Sequence, residues 1–248
     1  MALIKFDRVT KRFATDSGKT SVLADLSFEI EKSKFYSIFG PSGCGKTTIL
    51  NLIAGLLSQT SGLIKISGQI EIGYVFQEDR LFPWMKIWEN LDIILQQKFK
   101  LPQERKEIIK KYLNWVDLSK SFNEYPLTLS SGERQRINIV RAFCNHPDVI
   151  LMDEPFAHID EITASRLRKD LLNLLNKQPT TVIFVTHNLH EAVYLSDKVF
   201  LLSQKPVMSI KTVTLREKKV NKVIFYDNFI NQEQTLRTIR SIQKELSF

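Results

Sequence analysis

The sequence has few cysteines and no long apolar run, and these two shortages exclude several classes of protein. Its 248 residues include only two cysteines, Cys44 and Cys144, which excludes a scaffold built on disulfide bonds and indicates a reducing compartment. No stretch approaches the ~20 consecutive apolar residues that a membrane-spanning helix needs. The opening residues MALIK carry too few apolar side chains before a lysine for a signal peptide, so none is expected.

Charge of one sign is not concentrated in any part of the chain. The formal net charge of +8 would suit nucleic acid or an anionic membrane face, but basic residues are mixed with acidic ones, as in KEIIKKYLNWVD. This mixture is typical of a solvated surface, and no nucleic-acid partner is expected. A steep fall of DNA affinity with rising salt concentration would contradict that expectation.

Three glycines are gathered in the stretch FYSIFGPSGCGKTT at residues 35–48. Glycine permits backbone angles that are closed to other residues, so successive N–H groups can point into one concavity. The following segment, Ile49–Gly55, is predicted to be a helix whose N-terminus adds free donors and a partial positive charge. Lys46 adds a full charge, and Thr47 adds a hydroxyl of the kind that ligates Mg²⁺.

This stretch matches the phosphate-loop pattern G-x-x-x-x-G-K-[ST], so the sequence predicts that it binds a nucleotide. A glycine-rich turn between a strand and a helix is the structural alternative. The residues expected to contact the nucleotide here are Gly40, Pro41, Ser42, Gly43, Cys44, Gly45, Lys46, Thr47 and Thr48.

Strand-like and helical patterns alternate along the chain, with one interruption. Strands are predicted before and after the phosphate loop, followed by mostly helical sequence and then a return to α/β alternation. We predict one nucleotide-binding core with a β subdomain at about 1–87 and 143–205, a helical subdomain at about 88–142 and a C-terminal extension at about 206–248. No internal repeat is present. The extension holds strand-like PVMSIKTVTL, the charged stretch REKKVNK and a predicted helix near Gln232–Leu246.

The segment VILMDEP at residues 149–155 is the second strong signal. Its apolar run predicts a buried strand, and Asp153 ends that strand at the sheet edge where a phosphate loop also opens. Asp153 can hold Mg²⁺ there, while Glu154 can polarise an attacking water. A strand that ends in solvated acids is the alternative.

Five further features complete a pattern that resembles the ATP-binding subunit of an ABC transporter over about residues 3–205. They are Gln77 after GYVF, LSSGERQR at 129–136, Asp160 in AHID, His187 after TVIFVT, and Phe13 in the N-terminal strands. Each of three of these residues also has an ordinary structural interpretation when it is taken singly. Gln77 could be an amide at the end of any strand, His187 a helix cap and Phe13 a core residue. Their shared order with the phosphate loop is what indicates the family.

The resemblance implies an α/β fold: a P-loop NTPase core with an N-terminal antiparallel β subdomain and an inserted α-helical subdomain. It implies an ATPase that uses ATP and Mg²⁺, with Glu154, His187 and Gln77 as catalytic residues. Thr47, Gln77 and Asp153 are the implied metal ligands, and Phe13 is implied to stack on adenine.

A second ATP-binding subunit, most simply another copy, is also implied by the resemblance. In the family two subunits face each other head to tail, and Ser130 and Gly132 of the signature segment would close over the ATP of the opposite copy. Asp160 would lie in the loop that crosses to that copy. Ser131 and Glu133 depart from the usual LSGGQ, and position 158 is a histidine where the family usually has a small residue. These departures bear on how firmly the two copies close.

The segment FQEDRLFPW at 76–84 resembles ATPases of the nitrate, sulfonate and taurine importer branch, as does the phenylalanine at position 156. The branch implies a transmembrane permease as partner, an indirect link to a solute-binding receptor, and a peripheral position on the cytoplasmic face of the inner membrane. Pro83 and Trp84 would form an apolar docking edge for the permease, or Trp84 is simply core of the helical subdomain. A soluble ABC-type ATPase, a low-turnover regulatory module and a P-loop kinase are the rival functions.

Overall fold

A computed structural model of the protein describes residues 2–15, 18–157, 159–215 and 233–246. His158 and the charged stretch REKKVNK lie outside these residues. In chain order, the strands and helices are β1 (Ala2–Thr15), β2 (Gly18–Glu31), β3 (Phe35–Phe39), α1 (Lys46–Ile53), β4 (Ser61–Ile66), β5 (Ile72–Val75), α2 (Ile87–Leu95), α3 (Pro102–Trp115), α4 (Ser131–Cys144), β6 (Val149–Asp153), α5 (Glu161–Lys177), β7 (Thr181–Val185), α6 (Leu189–Leu195), β8 (Lys198–Leu202), β9 (Ile210–Thr214) and α7 (Glu233–Leu246). Short 3₁₀ helices at Ser119–Asn123 and Pro126–Thr128 precede α4.

The chain forms two compact units, and both are discontinuous in sequence. The first comprises Met1–Ile70, Leu151–Asp153 and Thr181–Phe248, and the second comprises Glu71–Ile150 and Glu154–Thr180. Strand β6 therefore begins in the second unit and ends in the first. The domain boundaries expected from the sequence remain a prediction.

An antiparallel sheet forms the N-terminal part of the first unit. Its strands lie in the order β2–β1–β4, and both pairings are antiparallel. One face of the long hairpin is apolar: Phe6 stacks on Phe28 with ring centroids 4.4 Å apart, and Ile4 and Leu26 are fully buried. This is the β subdomain that the resemblance implied.

The second sheet of the first unit is built from the apolar runs of the sequence. The strands of this sheet that reach the first unit lie in the order β6–β7–β3–β8–β9, with β3 parallel to both β7 and β8, and with β9 antiparallel to β8. Strands β6 and β7 are buried along their whole length, as expected of strands covered on both faces. The strand predicted from PVMSIKTVTL is confirmed only over Ile210–Thr214.

Over the described residues, the helices of the first unit are α1, α6 and α7. Helix α1 begins at Lys46 rather than at the predicted Ile49, because the left-handed Gly45 is its N-cap. The predicted C-terminal helix is confirmed as α7, and its apolar residues Ile239 and Ile242 are buried.

The second unit is mainly helical and contains α2, α3, α4 and α5. In α3, Ile109, Tyr112 and Leu113 are fully buried and Val116 follows them on the same face, so one face of this helix packs inside the unit. Gly73 of β5 allows α4 to approach closely, since a Cβ there would collide with the Ala142 carbonyl oxygen.

The observed architecture confirms the predicted α/β fold with an antiparallel β subdomain and an inserted helical subdomain. Among the described residues, none of the helices combines the length and the apolar composition needed to cross a bilayer.

Candidate active site

The predicted phosphate loop connects β3 to α1 in the first unit. Gly43 has a φ of +70° and Gly45 a φ of +115°, both in the region that favours glycine. A Cβ at Gly45 would also lie only 2.6 Å from Val22 Cγ1. Backbone conformation and close packing therefore both require glycine at position 45.

Lys46 is the first residue of α1, and its side chain is held against the loop. Its Nζ donates hydrogen bonds of 2.9 Å to the carbonyl oxygens of Gly40 and Pro41. The side chain is almost wholly buried, so its charge is located at the loop rather than in solvent. Pro41, Ser42 and Gly43 are exposed, whereas Cys44 is buried and Thr48 half-buried; burial raises the pKa of the Cys44 thiol.

Thr47 and Asp153 meet across the first unit. The Thr47 hydroxyl donates a hydrogen bond of 3.1 Å to Asp153 Oδ1. Asp153 ends β6 and is mostly buried, so its carboxylate is positioned by a strand that is buried throughout. Two oxygen groups predicted as metal ligands are thus in direct contact.

His187 lies in the first unit between the end of β7 and the start of α6. It is exposed and is not the helix cap, because Asn188 caps α6 by accepting hydrogen bonds from the N–H groups of His190 and Glu191. The turn is fixed by Thr186, whose hydroxyl accepts from Asn188 N and donates to Glu191 Oε2. The helix-cap interpretation of His187 is therefore wrong.

Phe13 lies on β1 and pairs with Thr20 of β2. It is half-buried, whereas Phe6 on the same strand is fully buried. The Lys11 ammonium lies 5.0 Å from the centre of the Phe13 ring. Phe13 is thus not a buried core residue, and its contact with adenine stays a prediction.

Glu154 opens the second segment of the second unit and follows directly after β6. Its φ is +45°, which is uncommon for a residue with a side chain. Its carbonyl oxygen accepts a hydrogen bond of 3.0 Å from Ala157 N, closing the turn. Strained backbone of this kind is concentrated at functional sites in proteins.

Gln77 is exposed in the second unit, in a bend two residues beyond the end of β5. The strand predicted to run to Gln77 therefore ends at Val75. The residue before Gln77 is tied to α4, because Asn138 Nδ2 donates a hydrogen bond of 3.3 Å to the Phe76 carbonyl oxygen.

The signature segment forms the N-terminus of α4 in the second unit. Ser130 is the N-cap: its hydroxyl accepts from Glu133 N, while Glu133 Oε2 accepts from both Ser130 N and Ser130 Oγ. These hydrogen bonds lower the pKa of Glu133. Ser131 is already helical, so serine is accommodated there without a left-handed backbone.

Gly132 has a packing role that the sequence did not reveal. A Cβ at this position would collide with Thr163 Cγ2 of α5, so glycine is needed for α4 and α5 to approach. Asp160 caps α5 by accepting a hydrogen bond of 3.0 Å from Thr163 N, and this bond lowers the pKa of Asp160.

Three residues of α4 that were not predicted as site residues contact the segment around Gln77. Arg134 and Arg141 bind Asp79, and Asn138 binds Phe76. Their spacing of four and three residues places them on one face of a helix. The helical spacing of these polar residues in RQRINIVR was the signal that could have identified them. Their acceptors are mainly backbone oxygens, which a sequence does not reveal.

Comparisons with known proteins agree with this geometry. The family model described as ABC transporter matches residues 23–157. An aliphatic sulfonates import ATP-binding protein, SsuB, from Bacillus cereus is 39% identical over 209 residues, covering 82% of both chains. The SsuB of a second Bacillus cereus strain is 36% identical over 249 residues, covering 98% of this chain and 94% of the relative.

A solved structure has the same fold and carries a nucleotide-derived ligand. It is described as a dimeric, post-hydrolysis state of the ATP-binding cassette MJ0796 bound to ADP and Pi. Its TM-score is 0.77 at 29% identity, and the match covers 86% of this chain and 99% of that one. The chain therefore belongs to the ABC transporter family, as an ATP-hydrolysing subunit that energises the transport of a small solute.

Proposed function

We propose that this ATPase powers the import of a small sulfonate-like solute through a separate permease, from the cytoplasmic face of the cell membrane. The names of the two SsuB relatives support import and this class of solute. The segment FQEDRLFPW supports the same branch. Neither line of support favours an ATPase unconnected with transport.

The contact between Thr47 and Asp153 carries the proposal that the phosphate loop works with Mg²⁺. Hydroxyl and carboxylate oxygens are the hard ligands that Mg²⁺ prefers, so these two side chains fit the ion. Gln77 is proposed as a further oxygen ligand. When bound, Mg²⁺ would neutralise charge on the ATP phosphates. Lys46 and the N–H groups of the loop would grip the same phosphates.

Hydrolysis would depend on three side chains. Glu154 would take a proton from the attacking water, Gln77 would orient that water, and His187 would hold the γ-phosphate. The left-handed backbone of Glu154 supports a functional role for this residue. His187 is exposed at the protein surface, and the turn beside it is fixed by Thr186 and Asn188.

A second copy of the chain would complete each ATP site. Ser130 is exposed at the N-terminus of a helix of 14 residues, where N–H groups and the helix dipole favour an anion. We propose that Ser130 and Gly132 cover the γ-phosphate held by the opposite copy, with Asp160 in the loop that crosses between them. The dimeric state of the MJ0796 cassette supports the presence of a second copy. Hydrolysis would remove the bridging contacts and open the dimer.

An apolar edge in the second unit suits the permease. Trp84 is 71% exposed and Phe82 is 40% exposed, and their ring centroids lie 5.5 Å apart. The exposure of Trp84 contradicts its interpretation as a core residue. Exposed aromatic pairs of this kind are typical of protein interfaces. A solute-binding receptor would join the assembly indirectly, through the permease.

The substitution Glu154→Gln tests the enzymatic part of the proposal. We expect ATP binding to remain and hydrolysis to fall by roughly 10²- to 10⁴-fold, because the general base is lost. Size-exclusion chromatography should show a dimer only when ATP is present. Glu107→Gln, at an exposed position on α3, is the matched control. A Glu154→Gln variant that stays monomeric and turns over normally would contradict the assignment.

The transport part needs the native partner. Tagged protein would be purified from its own membranes, and the co-purifying permease and receptor would be reconstituted in vesicles. We expect ATP-dependent uptake of an alkanesulfonate in preference to nitrate. Co-purification of only ribosomal or other non-membrane proteins would contradict the proposed role.

A further inference from the structure

Arg134 joins the two loops of the second unit that carry Gln77 and Ser130. We propose that Arg134 is a positioning residue that links the ATP bound by one subunit to the ATP bound by its partner. This inference rests on the proposed function, in which Gln77 serves the subunit's own nucleotide and Ser130 serves that of the opposite copy.

The guanidinium of Arg134 binds one acceptor in each loop. Its Nε donates a hydrogen bond of 2.8 Å to Asp79 Oδ2, two residues after Gln77. Its Nη1 donates a hydrogen bond of 2.6 Å to the carbonyl oxygen of Leu129, the residue before Ser130. Asp79 and Arg134 are both half-buried, so solvent competes for this bridge only in part.

Two more side chains of α4 fasten the Gln77 loop. Arg141 donates to the carbonyl oxygens of Asp79 and Arg80, at 3.0 and 2.8 Å, and Asn138 donates to that of Phe76. The backbone is therefore anchored to α4 on both sides of Gln77. Of these three α4 side chains, only Arg134 also reaches the loop before Ser130.

Arginine suits this bridge for a geometric reason. Its planar fork presents several donors in fixed directions, so two acceptors in different loops can be bound at once. A lysine ammonium is a point charge on a flexible stem and can neutralise Asp79 without fixing the Leu129 carbonyl. The consequence is that a displacement of Gln77 on binding Mg²⁺ and ATP is transmitted to Ser130, and a displacement of Ser130 is transmitted to Gln77.

The experiment measures two equilibria in the Glu154→Gln background. ATP binding is measured by calorimetry at protein concentrations where the chain is monomeric, and ATP-driven dimerisation by analytical ultracentrifugation. We expect Arg134→Ala to weaken dimerisation about tenfold, within the usual range of coupling between sites, and to leave monomer affinity for ATP unchanged. Arg134→Lys should weaken dimerisation nearly as much, because it keeps the charge and loses the fork.

Asp79→Ala provides the partner measurement. We expect it to weaken dimerisation, and the double variant Arg134→Ala/Asp79→Ala to be no worse than the more severe single variant, because both remove the same bridge. Additive losses, or an Arg134→Lys variant that dimerises like the parent, would overturn the proposal. Arg105→Lys is the matched control: Arg105 forms an ion pair with Asp92 in the same unit but touches neither loop, so dimerisation should be unaffected.

The outcomes separate this inference from the function on which it rests. If the Glu154→Gln parent itself fails to dimerise with ATP, the proposed function is at fault. If the parent dimerises and Arg134→Ala does so equally well, only the role of Arg134 is wrong. Thermal unfolding of each variant shows whether a loss of dimerisation is a loss of folded protein; Arg134→Lys, which retains charge and length, keeps the test valid if the alanine variant unfolds.

Discussion

The Thr47 hydroxyl hydrogen-bonds to the Asp153 carboxylate although 106 residues separate them in the chain. Thr47 stands at the start of α1, and Asp153 ends β6. The bond brings the phosphate loop and the acidic strand end into one site, and it unites two oxygen ligands that suit the same cation. Several consequences of this and related contacts can be measured.

Asp153→Asn should remove most of the Mg²⁺ dependence of ATP binding. The amide keeps an oxygen that can accept from Thr47, but it carries no charge for the cation, so we expect roughly a tenfold or greater loss of affinity in the presence of Mg²⁺. Calorimetry with and without Mg²⁺ gives the difference. The control variant Asp148→Asn, at the residue before the same strand begins, should keep the Mg²⁺ dependence of ATP binding. Equal Mg²⁺ dependence in the Asp153→Asn variant and the parent would refute the assignment.

Lys46→Ala should lose affinity for ATP itself. Charge-assisted hydrogen bonds to phosphate contribute about 2 kcal/mol, which is about a thirtyfold change in the dissociation constant. Calorimetric titration of the monomer with ATP is the measurement, and Lys65→Ala on the exposed strand β4 is the control. If the Lys46→Ala variant binds ATP as tightly as the parent does, the assignment of the phosphate loop to the nucleotide site is wrong.

Ser130→Arg should block ATP-driven dimerisation and leave ATP binding to the single subunit unchanged. Ser130 is exposed at the start of α4, and an arginine there would fill the space that the opposite copy's phosphates need. Ultracentrifugation and calorimetry measure the two properties separately. Ser119→Arg, also at an exposed position in the second unit, is the control. A parallel loss of monomer binding would mean that Ser130 does not act on the partner's nucleotide.

Gly132→Ala should destabilise the protein even though alanine is the better helix former by about 1 kcal/mol. The added methyl would collide with Thr163 Cγ2, and overpacking of this kind costs about 1–3 kcal/mol. The free energy of unfolding is measured with urea. Adding Thr163→Ser, which deletes Cγ2 and keeps the hydroxyl, should restore stability. If Gly132→Ala is as stable as the parent, the packing role is wrong.

Glu133 should stabilise the protein in a pH-dependent way. The bonds from Ser130 lower the pKa of Glu133 below its ordinary value of 4.5. Its ionised form therefore stabilises the fold fully above about pH 4.5, and this contribution is lost as the pH falls through the lowered pKa. Glu133→Gln keeps the capping geometry but does not titrate, so the unfolding free energy of the parent should fall relative to this variant below that pH. If the difference in unfolding free energy between the parent and Glu133→Gln does not change with pH, the expectation is wrong.

Much of the fold and of the site was predictable because its signals are local. Buried strands such as β6 and β7 are continuous apolar runs, and the phosphate loop is a contiguous pattern whose glycines have a backbone requirement of their own. The exposed position of Trp84 was not predictable, since an aromatic residue in a helical region fits either a core or an interface. Asn188, rather than His187, is the cap of α6, because the helix begins at Leu189 and the Asn188 side chain accepts from N–H groups of its first turn.

The phosphate loop at 40–47, the acids at the end of β6 and the order of elements could be predicted from the sequence alone, since each depends on residues close together in the chain. Three contacts depend on the tertiary structure instead: Thr47 with Asp153, Gly132 with Thr163, and Arg134 with the two loops that it bridges. Except for the bond from Arg134 to Leu129, those contacts join residues far apart in the chain, and the packing of whole helices and strands sets their distances. No local propensity encodes that packing.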